Sequence, residues 1–457
     1  MVATPRDAPT SGRTVQISGI PFVRQHPDFC GEAVAAAYLQ KLGFAYDQDD
    51  VFAASGMDPA RGMGVTTREL ASALSSIGFE TGPVWGKVSA ARLDDEMKAQ
   101  FDALLTDLRR GWPSIVCMRY SARPQTTEHF RLITGYDGTT DEVVYHEPAE
   151  DRGANRRMAR ATFLSLWPLK YERERWTVIR LRLEPGDLTP PPRQPEHSPA
   201  DFAQHVMMLK QRLPPGLSVV IESPFVVIGD ESPEMVRQRA RRTVRWAVER
   251  LKAAYFSRDP KRIIDIFLFS GAASYNRHAK LLFGERPDTP FGYYSPRSHA
   301  MVMNIATGGG TLVHEIVHPF VEANFPRCPA WFNEGLGSLY EQSADRGGKI
   351  VGLVNWRLGG LKRAIRERRV PTFATLTATT RNAFYEEDPG TNYAQSRYLL
   401  LHLQEEGRLG TYYRQFLAAR REDPTGYQTL QTVLGTTDMQ AFEQGWKAWV
   451  MSLRHQS

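Results

Sequence analysis

The sequence predicts an α+β protein with more than one domain, and three observations lead to this fold class. The chain has 457 residues, which is roughly three times the length of a typical domain. A Pro-rich stretch with the composition of a semi-rigid spacer divides it at 184–199. Helical patterns precede β-rich runs before this stretch, whereas strands alternate with helices after it and all-helical patterns follow. We therefore expect four parts, at 14–183, 184–199, 200–385 and 386–457.

The part at 14–183 is expected to begin with helices and to continue as an antiparallel sheet. Good helix formers with a helical apolar period occupy 30–42, where Gly43 ends the pattern. A second amphipathic pattern predicts a helix at 67–77. Short β-rich runs bounded by Gly, Asp or Pro predict strands at 114–120, 130–136, 142–145 and 176–183.

The second half is expected to be α/β at first and helical later. The predicted strands are at 218–228, 263–269 and 300–305, and a long helix at 231–256 separates the first two. A glycine run at 308–310 leads into a further helix. From Tyr393 onward the pattern is helical, with breaks near 407–410, 424 and 435.

Composition and charge exclude several classes of protein. Hydrophobic residues make up 42% of the chain and charged residues 24%, which are ordinary values for a globular protein. No apolar run approaches the roughly 18 residues that cross a bilayer, so we expect no membrane partner. The formal net charge is +6, but the densest basic cluster, at 237–250, alternates with apolar residues as on a solvated helix face. No motif accompanies it that indicates a nucleic-acid partner.

The cysteines and the first residues indicate the compartment. Cys30, Cys117 and Cys328 are odd in number and too far apart for a disulfide framework. Residues 1–13 are polar and lack the apolar core of about 7 to 15 residues that a secretory signal needs. We therefore expect a cytoplasmic protein, or a secreted one if this chain has lost a signal peptide.

The sequence His314-Glu315-Ile316-Val317-His318 is the strongest indication of chemistry. Residues i and i+4 share one face of a helix, so both imidazoles can reach one metal ion. Catalytic zinc takes three protein ligands and keeps one position open. The alternative is that both histidines are ordinary polar residues of a buried helix, which is costly unless they share a partner.

Two glutamates are candidates for the remaining roles at such a site. Glu334, in the stretch WFNEGLG, follows His318 after 15 intervening residues and can approach from an antiparallel neighbouring helix. Glu315 is adjacent to a ligand but faces the open position, where it can take a proton from zinc-bound water. Glu334 is thus the candidate third ligand and Glu315 the candidate general base.

These motifs, with the strand and the glycine run before them, resemble a known family. Residues from about 223 to 405 are similar to the gluzincin metallopeptidases, particularly the group called peptidase MA-like. The resemblance implies a zincin-like fold, the cofactor Zn²⁺, the ligands His314, His318 and Glu334, and Glu315 as the base.

The same resemblance bears on a tyrosine and on the substrate. Related enzymes place a Tyr at the start of a later helix to stabilise the oxyanion, and Tyr393 matches that placement, with Tyr398 as the alternative and a packing role as another. Aminopeptidases of this group capture the substrate's amine with an acidic strand before HExxH. The corresponding stretch at 298–304 contains no acidic residue, which favours an endopeptidase.

A second candidate site precedes the Pro-rich stretch. Cys30 begins a predicted helix, whose N-terminus favours a thiolate. His129 begins a strand and Glu147 follows it by 18 residues, as expected of a base and of the carboxylate that orients it. Gln25 is a candidate oxyanion donor. We expect His146 to be an exposed loop residue.

Several short motifs of this region occur in an order that resembles the papain-like cysteine peptidases of the C39 group. They lie between about 18 and 150, at 28–33, 111–113, 129–137 and 147–148. The resemblance implies a papain-like fold and the catalytic set Cys30, His129, Glu147 and Gln25. Glu147 stands where the family normally has Asp or Asn, and Gln25 is about one residue nearer to Cys30 than is usual.

The sequence therefore predicts a peptidase that acts on a peptide or protein substrate. Zinc-activated water hydrolyses the peptide bond in the second half, and the first half holds a second, thiol-dependent site. Two alternatives remain: a non-catalytic peptide-binding protein with a structural zinc site, and an enzyme active only at Cys30. The sequence leaves the oligomeric state open.

Overall fold

The computed structural model describes residues 14–284 and 286–455. It divides into two compact units, Met1–Gln211 and Arg212–Ser457, each of which combines helices with a sheet. This confirms the α+β fold class. Residues 1–13, on which the expectation about a secretory signal rests, lie outside the described residues. In the described part of the chain, no helix has both the length and the apolar character needed to cross a membrane.

The first unit is built on one large sheet with helices on both faces. Its helices are α1 (Cys30–Lys41), α2 (Gln48–Ala54), α3 (Thr67–Ile77), α4 (Leu93–Arg109), α5 (Arg160–Leu166) and α6 (Pro199–Lys210). Its strands are β1 (Val15–Gln16), β2 (Phe79–Glu80), β3 (Trp85–Ser89), β4 (Ser114–Arg119), β5 (Glu128–Asp137), β6 (Glu142–His146), β7 (Arg156–Ala159), β8 (Leu169–Glu172), β9 (Arg175–Arg182) and β10 (Glu184–Pro185).

The large sheet is antiparallel, with the strand order β3-β9-β4-β5-β6-β7, and it also pairs β1 with β5 and β8 with β9. Alternation along β4 separates two cores. Ile115 and Cys117 pack with α1, α2 and α3, whereas Val116 and Met118 pack with α4 and α5. The sheet therefore presents β5 and its neighbours to the first residue of α1, which is Cys30.

The Pro-rich stretch belongs to the first unit, so the boundary lies later than the sequence predicts. β10 pairs with β2, and the Thr189 amide donates to the carbonyl of Ile77 at 3.0 Å. Ala200 and Ala203 of α6 are fully buried in the core with α1 to α3. These contacts place the division after Gln211, whereas the composition of the stretch alone indicates a linker.

The second unit combines a five-stranded sheet with a helical remainder. Its strands are β11 (Ser218–Glu222), β12 (Phe225–Gly229), β13 (Ile264–Phe269), β14 (Gly292–Ser295), β15 (Ala300–Asn304), β16 (Ser343–Arg346) and β17 (Lys349–Gly352). Its helices are α7 (Pro233–Arg239), α8 (Trp246–Ala254), α9 (Ala272–Phe283), α10 (Gly310–Asn324), α11 (Ala330–Tyr340), α12 (Arg357–Arg366), α13 (Phe373–Ala378), α14 (Arg381–Glu386), α15 (Pro389–Glu405), α16 (Leu409–Ala419), α17 (Tyr427–Leu434) and α18 (Met439–Ser452).

The sheet of the second unit has the order β11-β12-β13-β15-β14, with β12, β13 and β15 parallel and the two edge strands antiparallel. The single strand predicted at 218–228 is instead the hairpin of β11 and β12, because Ser223 and Pro224 interrupt it. A π-helical turn, Ala240–Arg245, joins α7 to α8. One apolar core connects this sheet with α10, α11 and the late helices.

Candidate active sites

The first candidate site lies where α10 packs against α11. His314 and His318 stand one turn apart on α10, and Glu334 approaches from α11. The three ligand atoms lie within 4.8 Å of one another. Oε2 of Glu334 is 3.1 Å from Nε2 of His314 and 3.7 Å from Nε2 of His318. The structure thus brings the three predicted metal ligands together around one point.

The other ring nitrogen of each histidine lies close to an oxygen atom, in an ion pair for His314 and in a hydrogen bond for His318. Nδ1 of His314 lies 3.2 Å from Oε1 of Glu341, and Nδ1 of His318 lies 3.0 Å from Oδ1 of Asn333. An oxygen beside Nδ1 favours the proton on that nitrogen, which leaves Nε2 as the atom that a metal would bind. Both Nε2 atoms therefore face the common point as a metal requires.

The donor set fits zinc. Two imidazole nitrogens and one carboxylate oxygen are a common ligand set of catalytic zinc. Gly337, one turn after Glu334 on α11, gives His314 its room, since a Cβ there would lie 3.1 Å from Nε2 of that ring. The imidazole thus lies directly on the backbone of α11, which limits its rotation.

The charges of the site also favour a cation. Burial lowers the pKa of the His314 imidazole, but the carboxylates of Glu334 and Glu341 outweigh burial and raise it. Burial raises the pKa of Glu334, but the two histidines and Tyr385 outweigh burial and lower it. The buried carboxylates therefore stabilise positive charge at the common point.

Glu341 is itself held by Arg357, the first residue of α12, and by Asn355 in the loop before that helix. Arg357 donates to both of its oxygens, with Nε 2.8 Å from Oε2 and Nη2 2.7 Å from Oε1. Nδ2 of Asn355 donates to Oε2 at 3.2 Å. Tyr398, the alternative to Tyr393 as oxyanion donor, is fully buried and its hydroxyl bonds the backbone of Asn355. Tyr398 therefore supports this loop, with its hydroxyl already engaged.

Two tyrosines contact the candidate ligands. Tyr393 on α15 stacks on His314, with ring centroids 6.4 Å apart. Tyr385 on α14 donates its hydroxyl to Oε1 of Glu334 at 2.6 Å. Burial and the carboxylate of Glu334 raise the pKa of both hydroxyls. Both are therefore neutral hydrogen-bond donors near neutral pH, and the second was not predicted from the sequence.

Glu315 follows His314 on α10 and is partly exposed. Its carboxylate makes no hydrogen bond or ion pair with any residue that the structure describes. Its charge raises the pKa of both the His314 imidazole and the Tyr385 hydroxyl. A carboxylate without a partner next to the ligands is available to accept a proton.

The second candidate site begins at Cys30, the first residue of α1 and partly exposed. The expected stabilisation of a thiolate by the helix N-terminus is outweighed. Burial raises the pKa of the Cys30 thiol to about 12, and the carboxylates of Glu32 and Asp28 add to the effect. The thiol is therefore neutral at rest and needs a base to become a nucleophile.

His129 and Glu147 form the predicted pair on β5 and just after β6. Nε2 of His129 lies 2.5 Å from Oε1 of Glu147, and both residues are buried. No hydrogen bond joins His129 to Cys30 among the described residues, although the backbone amide of Phe130, next along β5, contacts the sulfur. The carboxylate that is predicted to orient His129 is thus within hydrogen-bond distance of it, and α1 packs against β5.

Gln25 is close to this pair through the backbone. Its amide donates to the carbonyl of Pro148, the residue after Glu147, at 3.1 Å. Its side-chain oxygen is buried without a partner among the described residues. The expectation that His146 is exposed is wrong, since it is 2% exposed. Its Nδ1 accepts from the amide of Asn155, and its Nε2 lies 3.3 Å from the carbonyl oxygen of Ile20.

The comparison with protein families bears on this second site. The model described as "Peptidase_C39 like family" matches residues 17–173. The first unit contains a peptidase C39-like domain. The matched residues include the Cys30, His129 and Glu147 of the site above. The candidate zinc site of the second unit lies outside the C39-like domain.

The other comparisons add little to the C39-like domain. Among solved structures, the chain is similar to the peptidase domain of ComA from Streptococcus, a bi-functional ABC transporter involved in quorum sensing. That likeness has 18% identity and a TM-score of 0.25, and it covers 36% of this chain and 99% of that chain. The search of curated proteins found no match.

Sequence reasoning missed several residues that contact the predicted ones. Glu341, Arg357 and Tyr385 surround the candidate zinc ligands, and Arg131 contacts Glu147 in the C39-like domain. Only Arg131 left a signal in the sequence, because it stands two residues after His129 on a predicted strand and so faces the same side. The others are brought to the site by loops and helix packing.

Proposed function

We propose that the second unit is a zinc-dependent peptidase. The observation that carries this proposal is the convergence of His314, His318 and Glu334 within 4.8 Å, with each histidine's Nδ1 beside its own oxygen acceptor. The family match of the first unit independently supports peptidase chemistry in the chain. A purely structural zinc site would use a fourth protein ligand, and no fourth ligand joins the three among the described residues.

Each residue of the site has a role in this proposal. His314, His318 and Glu334 would hold a zinc ion, which would supply Lewis-acid chemistry at the scissile bond. Glu315 accepts the proton of the attacking water and passes it to the leaving amine, so the base is regenerated. Tyr393 offers a neutral hydroxyl where negative charge develops on the carbonyl oxygen, whereas the hydroxyl of Tyr385 is engaged by Glu334.

The edge of the sheet favours an endopeptidase. β14 is the edge strand next to β15, and its residues Gly292–Ser295 include no carboxylate. The stretch at 298–304 has none either. A free α-amino group of a substrate therefore finds no anionic partner on these strands, so the chain is expected to cut within a polypeptide.

A second activity, thiol-dependent peptide hydrolysis in the C39-like domain, is favoured by the pair of His129 and Glu147. His129 would take the proton of Cys30 as the sulfur attacks the carbonyl and would pass it to the leaving amine, after which water would hydrolyse the acyl-enzyme. Glu147 would stabilise the imidazolium that forms. The neutral resting thiol makes this activity depend wholly on His129.

The decisive experiment measures cleavage of an unfolded protein by the purified chain, together with zinc content. We expect Glu315→Gln to keep about one zinc per chain and to lose turnover by at least about a hundredfold, since only the base is removed. Glu322→Gln is the matched control, because Glu322 lies exposed on the same helix. It should retain both zinc and activity.

Inhibitors separate the two sites. A zinc chelator should abolish cleavage by the second unit, and a thiol alkylator should remove only the contribution of Cys30. Full activity in Glu315→Gln would contradict the zinc mechanism. Cleavage that survives chelation but not alkylation would assign the enzyme to the C39-like domain alone, and bound zinc without any turnover would leave a peptide-binding protein.

A further inference from the structure

The carboxylate of Glu147 is shared between two buried side chains. Oε1 lies 2.5 Å from Nε2 of His129 and accepts the amide of Ala149 at 3.1 Å. Oε2 accepts from Nε of Arg131 at 2.6 Å. Arg131 is only 4% exposed, so this ion pair has little access to water.

The strand geometry produces this arrangement. His129 and Arg131 are two apart on β5, so their side chains leave the same face of the sheet. The antiparallel register of β5 and β6 pairs Leu132 with His146. Glu147, the next residue after β6, therefore lies opposite Arg131. The carboxylate of Glu147 can therefore contact the side chains of both His129 and Arg131.

Arg131 is rigid as well as close. It donates to the carbonyls of Arg119 and Tyr120 at 3.2 and 2.9 Å. Its guanidinium lies over the rings of Tyr120 and Tyr145, 5.3 and 5.5 Å from their centroids. Because two carbonyl groups and two rings hold the guanidinium in place, it also holds Oε2 of Glu147 in place.

We propose that Arg131 is a positioning residue of the thiol site, which acts on Cys30 only through Glu147 and His129. It holds Oε2, so that the flexible glutamate keeps Oε1 on the imidazole. A glutamate has one more rotatable bond than an aspartate, and a second anchor offsets that freedom. This inference rests on the proposed thiol chemistry of the C39-like domain.

Without Arg131, Glu147 would be a buried carboxylate with one fewer partner. It would take up a proton or turn toward water, because an uncompensated buried charge is costly. In either case His129 loses its orientation. Since the Cys30 thiol is neutral at rest, its reactivity falls with the base.

The test is the rate at which iodoacetamide alkylates Cys30 in the full chain at pH 7, read by mass spectrometry of the Cys30 peptide. Arg131→Met should slow the reaction about tenfold or more, as Glu147→Gln and His129→Ala should. Arg131→Lys keeps a cation near Oε2 and should recover most of the rate. Arg157→Met is the matched control, since Arg157 forms ion pairs with Asp137 and Glu142 at the exposed edge of the same sheet. It should leave the rate unchanged.

The double variant distinguishes positioning from general support of the fold. In the Glu147→Gln background, Arg131→Met should slow alkylation no further, because its only route to Cys30 is already broken. A further loss there, or a wild-type rate in Arg131→Met alone, would overturn the inference. If wild type itself reacts no faster than His129→Ala, the thiol chemistry fails first and the role of Arg131 fails with it.

Discussion

Nδ1 of His314 lies 3.2 Å from Oε1 of Glu341, a carboxylate seven residues beyond the third candidate ligand. The carboxylate of Glu341 also accepts hydrogen bonds from Nε and Nη2 of Arg357. The orientation of one candidate ligand is thus linked to an ion pair with the first residue of α12. The consequences of this and three other relationships can be measured.

Glu341→Gln is expected to weaken zinc binding by about 10- to 100-fold, because the neutral amide removes the negative charge beside Nδ1 of His314. Competition with a chromophoric chelator measures the dissociation constant directly. Glu367→Gln is a suitable control, since Glu367 is exposed after α12. Equal affinities in wild type and Glu341→Gln would remove Glu341 from the site.

Gly337→Ala should also weaken zinc binding, for a steric reason. The new Cβ would lie 3.1 to 3.2 Å from three atoms of the His314 ring, so the imidazole must shift. Gly445→Ala is the control, because nothing lies within 4 Å of a Cβ at that position of α18. That exchange should raise stability by about 0.5 to 1 kcal/mol. Unchanged zinc affinity in Gly337→Ala would show that the ring has more room than described.

The two tyrosines should differ in their effects. Tyr385→Phe removes the 2.6 Å hydrogen bond to Glu334, and the dissociation constant for zinc should rise because that ligand loses its orientation. Tyr393→Phe should keep zinc and lower kcat by about tenfold or more, as expected of an oxyanion donor. Zinc titration and steady-state kinetics on both variants separate the roles, and the reverse pattern would exchange them.

Glu32 should make the first unit less stable as the pH rises. Burial raises the pKa of this carboxyl to about 8, whereas in the unfolded chain it ionises near pH 4.3, roughly the usual value. Unfolding therefore releases a proton between those values, and stability is lost as the pH rises through this window. Glu32→Gln keeps an oxygen for the amide of Val65, which donates at 2.8 Å.

Calorimetry of the full chain tests this at two values of pH. At pH 8, Glu32→Gln should raise the melting temperature of the affected transition by several degrees, which corresponds to a gain in the free energy of unfolding on the order of 1 to 3 kcal/mol. Near pH 4 the gain should be small. Glu80→Gln is the control, since Glu80 is an exposed residue of β2. It should change the melting temperature at neither pH. A gain in Glu32→Gln that is equal at both pH values would mean that ionisation of Glu32 is not its cause.

Much of the architecture could be predicted because local patterns agreed with tertiary structure. The helix at 67–77 and the strand at 114–120 correspond to α3 and β4. HExxH and the NEG stretch predicted side chains that do converge, since helical spacing fixes two of them. The sequence did not predict α4, although this helix has 17 residues. Three acidic residues in its first turn mask its apolar period.

The remaining parts of both sites depend on contacts that no local pattern encodes. Tyr385 reaches Glu334 from 51 positions away, and Arg357 reaches Glu341 from 16. The Pro-rich composition indicated a spacer, whereas tertiary contacts decide where that stretch packs. Cys30 lies at a helix N-terminus as expected, but burial and two carboxylates outweigh the helix there.

The packing of the Pro-rich stretch determines how the chain can be divided experimentally. A fragment that stops at Leu183 would lack β10 and α6, leaving the edge of β2 unpaired and a hole where Ala200 and Ala203 fill the core. A fragment that continues to Gln211 keeps both. Protease treatment of the intact chain should accordingly release a first piece that still carries the proline residues, with the cut on the far side of α6.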